Sequence, residues 1–245
     1  MKILAIGDVH NHVDGLENWL APYVDTHKFI FLGDYFDSFY DSCIDASKTA
    51  SWLKYSLVQP NRIHLIGNHD ISYHPHNTNL YNCPGYTWDK KAAISQILSL
   101  DDWNKIKLSH YENGWYFSHA GFTKHWWEHP VTGFSDLQER AEKTWADVFN
   151  SYQPSIWEAD YTRGGSSHYG GVLWCDWSRL GVIDGINQVV GHTPGRKIRT
   201  RISSTDKKTV NICVDCLPSQ LLEIDGDQYN IIDLNVRSQY DTRQH

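Results

Sequence analysis

Three short apolar runs, KILAIG at 2–7, KFIFLG at 28–33 and RIHLIG at 62–67, have nearly the same form, and each glycine is followed by Asp8, Asp34 or Asn68. Runs of this length, apolar throughout and closed by turn residues, read as strands buried on both faces. The stretches between them, 13–23 and 44–57, carry the spacing of amphipathic helices. Strand, helix, strand, helix, strand predicts a parallel sheet with crossover helices. Right-handed crossovers bring all three strand ends to one edge, where open α/β sheets place their ligands.

The pattern then changes. Residues 90–100 and 136–150 read as helices, and 115–121, 172–176, 188–193, 209–215, 220–225 and 228–233 as strands. The last three follow one another through short turns such as Asp225-Gly226, which predicts a second, mainly antiparallel sheet. With 245 residues, no internal repeat and no linker, the chain suits one domain over 1–235 with irregular insertions near 72–89 and 122–171. Residues 236–245 form a polar tail.

Composition excludes some classes of function. A net charge of −7 speaks against a broad grip on nucleic acid, although a local basic pocket stays open. The apolar stretch at the N-terminus is too short for a signal peptide or a membrane span, and none longer follows. Five cysteines, an odd number, point to reduced thiols and a cytoplasmic setting. The C-x-x-C at 213–216 has no second pair and reads as buried structural thiols. Fourteen histidines raise the weight of a metal or acid–base site without locating it.

Five segments place oxygen or nitrogen donors after apolar runs. They are GDVH (Asp8, His10), GDYFD (Asp34, Asp37), GNH (Asn68, His69), SHAG (His119) and GHTP (His192). Each alone has a plain reading as a turn, a cap or a hydrogen-bonded core imidazole. In this order and with these flanks, the sequence resembles the calcineurin-like metallophosphoesterases. It is most similar to the branch of bacterial and phage Ser/Thr protein phosphatases and diadenosine tetraphosphate hydrolases.

The resemblance implies an α/β fold, a calcineurin-like β-sandwich flanked by helices in α/β/β/α order, holding two divalent metal ions at the sheet edge. By position, Asp8 and His10 would hold one metal, Asp34 would bridge, and Asn68, His119 and His192 would hold the other. His69 would be the general acid, oriented by Asp37. Carboxylate and imidazole donors suit manganese, placed first, or iron, zinc, nickel or cobalt. Asn68 would supply an oxygen without a charge, leaving the ion pair electrophilic enough to hold phosphate and acidify a bridging water for in-line attack.

Three positions depart from the family pattern. Ser38-Phe39 stands where Arg-Gly is expected after Asp37, Ile66 stands where protein phosphatases often carry Arg, and Asn11 replaces a glycine. Arginine at the first two positions would clamp phosphate bidentately. Arg179 and Arg163 are the candidate substitutes for binding substrate, with Asn68 beside them. The plain reading of Arg179 is a surface residue.

His125, Trp126, Trp127 and His129, with Tyr81, Tyr86 and Trp88, either wall a cleft that stacks a nucleobase or pack the irregular segments onto the sheet. The expected function is a phosphomonoesterase acting on a phosphoprotein or small phosphoester. A hydrolase of dinucleoside polyphosphates or phosphodiesters is the alternative, and a silent scaffold is a third reading. The partner expected is a phosphorylated substrate, with no bulk nucleic acid and no membrane.

Overall fold

The computed structural model describes residues 1–38, 40–77, 82–123, 132–150 and 154–234. Among them run the strands β1 (Lys2–Ile6), β2 (His27–Phe31), β3 (Arg62–His64), β4 (Ser109–Glu112), β5 (Trp115–Ser118), β6 (Asn187–Val190), β7 (Arg199–Ile202), β8 (Val210–Cys213), β9 (Gln220–Asp225) and β10 (Gln228–Asp233). The helices used below are α1 (Val13–Leu20), α2 (Cys43–Ser56), α3 (Asn68–Ile71), α4 (Trp88–Ser95), α5 (Leu100–Trp103) and α6 (Phe134–Ala146).

The strands form two mixed sheets, ordered β10-β9-β1-β2-β3 and β4-β5-β6-β8-β7. In the first, β1, β2 and β3 are parallel and β9 runs antiparallel to β1. In the second, β5, β6 and β8 are parallel, with β4 and β7 antiparallel at the edges.

Strand periodicity explains how the sheets stack, because alternate side chains point to opposite faces. Ile3 and Ala5 of β1, with Ile30 and Leu32 in and after β2, share a buried cluster with Trp115, Phe117, Val189 and Ile212 of the second sheet. Their neighbours Leu4, Ile6, Phe29 and Phe31 join the cluster that contains Leu16 and Leu20 of α1 and Ala50 and Leu53 of α2. One face of the first sheet therefore meets the second sheet and the other meets helices. Each fully buried Leu, Ile, Val or Phe among them contributes about 1.5–3 kcal/mol. On the far side, Phe134 of α6 stacks on Tyr111 of β4 with ring centroids 4.2 Å apart. The architecture is two mixed sheets flanked by helices, the calcineurin-like α/β arrangement.

Three expectations are corrected. The hairpin β9–β10 belongs to the first sheet, where Ile224 and Leu222 face Ile3 and Ala5 along the open edge of β1. The second sheet is mixed, since its centre is parallel. Residues 172–176 form a buried turn, with Trp174 and Cys175 both donating backbone N–H to Gly171 O at 2.8 Å. Strands β4 and β7, with the polar sequences SHYE and RTRI, carry little apolar signal because they are sheet edges. The tail at 236–245 lies outside the described residues. No helix among the described residues is long and apolar enough to cross a membrane.

Candidate metal centre

The carboxyl ends of six parallel strands meet between the two sheets. Asp8 follows β1, Asp34 follows β2, Asn68 follows β3, His119 follows β5, His192 follows β6 and Asp215 follows β8. Close backbone approach makes the gathering possible. A Cβ on Gly67 would enter the Asp34 carboxylate, and one on Gly191 would enter that of Asp8. Among the described residues seven non-glycines have positive φ, and five of them, His10, Asn11, Asp34, Asp37 and His192, lie in these segments. Backbone held in such sparsely populated conformations concentrates where geometry serves a function.

The side chains gather into two groups of potential metal ligands that share one residue, Asp8–His10–Asp34 and Asp34–His119–His192. His10 Nε2 lies 3.8 Å from Asp8 Oδ2 and 3.9 Å from Asp34 Oδ2, and His119 Nε2 lies 3.4 Å from the same Asp34 oxygen. The other oxygen of Asp34 accepts the backbone N–H of His69 at 2.9 Å, so only Oδ2 faces both groups. Asn68 joins the second group, with Oδ1 2.8 Å from His119 Nε2. His119 Nε2 and His192 Nδ1 are 3.2 Å apart.

The donor chemistry fits a cation. His119 Nδ1 donates to Leu32 O at 2.8 Å and His10 Nδ1 to Asp37 O at 2.6 Å, so each ring, once neutral, would turn a lone pair on Nε2 toward the carboxylates. The Asn68 amide is likewise oriented, its NH₂ donating to Cys83 Sγ at 3.3 Å. Turned over, it would offer that NH₂ to His119 Nε2, His192 Nδ1 and Asp34 Oδ2 at 2.8, 2.9 and 3.3 Å, so the surrounding atoms are acceptors. Lone pairs converging in a buried space need positive charge among them.

The local field agrees. Burial opposes charge on His119 and His10, yet Asp34 and Asp8 push their pKa values up to about 10 and about 9. Burial would raise the Asp34 pKa, but His119, His69 and His10 hold it well below the usual carboxylate range. His192 is kept neutral by burial and by His119.

Beside the first group stands His69, whose ring lies edge-on to that of His10 with centroids 5.3 Å apart. Its Nδ1 is 3.1 Å from Asp37 Oδ2. All six expected ligands and the expected His69–Asp37 pair thus lie together. The two arginines differ. Arg163 reaches the GHTP segment, with Nη2 donating to Thr193 Oγ1 at 2.8 Å and His192 O at 3.1 Å, and it pairs with Asp176 at 3.0 Å. The half-buried Arg179 guanidinium has no hydrogen-bond partner among the described residues.

A match to the family model for calcineurin-like phosphoesterases covers residues 1–196. The chain belongs to the calcineurin-like phosphoesterase family. Among solved structures, a cold-active protein tyrosine phosphatase superposes with a TM-score of 0.60 at 17% identity, covering 94% of this chain and 78% of that one. A structure of the cold-active protein-tyrosine phosphatase of a psychrophilic Shewanella species gives 0.58 at 18%, with 95% and 80% covered. A protein serine/threonine phosphatase from Saccharomyces cerevisiae gives 0.52 at 13%, with 98% and 82% covered. At these identities the likeness is one of fold. Comparison with curated proteins finds no match.

Several residues of this calcineurin-like centre had no role in the sequence reading. Asp70 sits below the Asp34 loop, Cys83 holds the Asn68 amide, and Tyr73 and Lys90 both contact Asp37. Asp215 lies close enough to Asp8 that burial and that charge raise its pKa to about 8. Its signal was its place after an apolar strand, as for Asp8. The edge ring of Trp174 packs 5.9 Å from His192. His125, Trp126, Trp127, His129 and Tyr81 lie outside the described residues, whereas Tyr86 packs 5.3 Å from Tyr73 and Trp88 is exposed.

Proposed function

We propose that this calcineurin-like phosphoesterase hydrolyses phosphomonoesters, of a phosphoprotein or a small molecule, with two divalent ions and His69 as general acid. The observation that carries the reading is the pair of ligand groups sharing Asp34 Oδ2, with His69 immediately beside them. Asp8, His10 and Asp34 would hold one ion, and Asp34, Asn68, His119 and His192 the other. Bound there, such ions supply Lewis acidity to the phosphoryl oxygens and lower the pKa of a bound water toward about 7. Manganese is the ion we place first, since the donors are oxygen and imidazole nitrogen.

The chain's own residues do the rest. Leu32 O and Asp37 O fix the tautomers of His119 and His10. Asp37 holds His69 through Nδ1, leaving Nε2 to give a proton to the leaving oxygen. Arg163 is tied to Asp176 and Thr193, so its first part is to brace the GHTP segment; Arg179 is the freer candidate for substrate. The five cysteines are all free thiols, which supports a reducing, cytoplasmic setting.

Metal analysis of the purified protein, followed by hydrolysis of nitrophenyl phosphate with added manganese, tests the reading. Two bound ions with turnover are expected; two ions with no turnover on any ester would leave a scaffold. A panel of phosphopeptides, diadenosine tetraphosphate and bis-nitrophenyl phosphate separates a monoesterase from the nucleotide-directed alternative, which the absence of arginine at Ser38 and Ile66 keeps in view.

A further inference from the structure

A distant helix places a buried cation beside Asp37. Lys90 is the third residue of α4, a helix capped by Thr87, whose Oγ1 accepts the Lys90 backbone N–H at 3.2 Å. The side chain runs inward and is 94% buried. Its ammonium donates to Asp37 Oδ1 at 3.1 Å, Asp41 Oδ1 at 2.7 Å and Gly85 O at 2.8 Å. An ammonium has three donors, and these three contacts use them all. Lys90 therefore has no N–H left for a phosphate.

Its effect falls on Asp37. That carboxylate receives Tyr73 Oη at 2.5 Å and Lys90 on Oδ1, which leaves Oδ2 for His69. Asp41 continues the chain of contacts, since its Oδ2 accepts from Asn11 Nδ2 at 3.1 Å and Asn11 Oδ1 accepts from Thr49 at 2.7 Å. One departure from the family pattern, Asn11 for glycine, thus belongs to this network, and another, Ser38 for arginine, directly follows Asp37 in sequence. The Asp34–Phe36 backbone is held separately by Asp70. Removing Lys90 should release the Asp37 carboxylate rather than the loop.

We propose that Lys90 is a positioning residue for the reaction, holding Asp37 in the one orientation that aims His69 at the leaving group. This rests on the phosphoesterase reading above. The ion pair is buried, and loss of one partner leaves a carboxylate uncompensated, so the neutral-pair variant Lys90→Met/Asp41→Asn accompanies Lys90→Met. Lys90→Arg is the conservative control.

The test uses full-length, manganese-loaded protein and two esters, nitrophenyl phosphate with a good leaving group and an alkyl phosphate with a poor one. In both methionine variants, metal content by mass spectrometry should stay at the wild-type level. Turnover of the alkyl ester should fall by about tenfold to a hundredfold, a part of what a general acid contributes, and that of the nitrophenyl ester much less. Lys90→Arg should recover most of the loss. Equal losses on both esters, or none, would overturn the proposal.

Should the wild-type protein hydrolyse neither ester, the phosphoesterase reading fails and the positioning claim is read by proton NMR. The hydrogen-bonded Nδ1 proton of His69, identified by its disappearance in His69→Asn, must vanish in both methionine variants and persist in Lys90→Arg. Its persistence in the methionine variants overturns the claim independently of any activity.

Discussion

The carboxylate of Asp70 lies 2.7 Å from the backbone nitrogen of Asp34 and accepts its N–H. It also accepts from Tyr35 at 2.7 Å and from Gly67 at 2.9 Å, so one buried side chain joins the loops after β2 and β3. An unsatisfied buried donor costs about 1–3 kcal/mol. Asp70→Asn turns an NH₂ toward donors, and it should lower the unfolding free energy of metal-free protein by about 1–3 kcal/mol in urea, the cost of one such donor lost. An unchanged midpoint would mean that the loops hold themselves.

Asn68 contributes a neutral oxygen among charged ligands. Asn68→Asp adds a negative charge a few ångströms from any bound phosphate, a repulsion on the order of 1–4 kcal/mol depending on the effective dielectric. Calorimetric titration of metal-replete protein with inorganic phosphate should show at least about a fivefold weaker Kd, the lower end of that range. Equal affinity would remove charge as the reason for an amide at this position.

His69→Asn should retain both ions, because His69 belongs to neither ligand group. Its turnover of alkyl phosphates should drop by about 10²–10⁴, the usual contribution of a general acid, with nitrophenyl phosphate affected far less. A common loss on both esters, measured as kcat at saturating substrate, would take the proton-donor role away from His69.

Acid stability depends on a histidine outside the centre. His64 stacks on Phe31 at 4.5 Å and bonds Ser56 Oγ and Tyr35 Oη at 2.9 Å each, and burial pushes its pKa down to about 3. The unfolded chain takes up this proton near pH 6.5 and the folded protein does not, so stability is full above that pH and falls as pH drops toward 3. The slope for one such proton is about 1.4 kcal/mol per pH unit. Urea midpoints of metal-free protein measured from pH 7 to pH 5 should decline in the wild type and decline less in His64→Gln. Parallel declines would assign the acid sensitivity to other groups.

The parts of this molecule that could be read in advance are those where local pattern and burial coincide. Strands β1 to β3 are buried on both faces, so their sequences are continuous apolar runs, and the Gly-Asp and Gly-Asn steps after them mark the edge where ligands gather. Lys90 and Asp37 stand 53 positions apart, and a lysine at the third position of a helix looks like any solvated one. Asp70 was in plain view next to His69, yet an aspartate in the first turn of a helix normally faces solvent as a cap. The hairpin β9–β10 was assigned to the wrong sheet because alternation tells which residues are buried and not against which edge they pair. The apolar stretch at 172–176 shows the same limit, since burial alone does not distinguish a strand from a turn packed beside His192.

Asp8, Asp34 and Asn68 stand on one sheet and His119 and His192 on the other, and the two layers pack mainly through apolar side chains, with polar ties such as Lys28 to Glu112 at 2.7 Å at their margin. A cation gripped from both sides would act as a further rivet across that seam. Ion loading would then tighten the alignment of the layers, so that chelation should loosen the joint between sheets before either sheet comes apart.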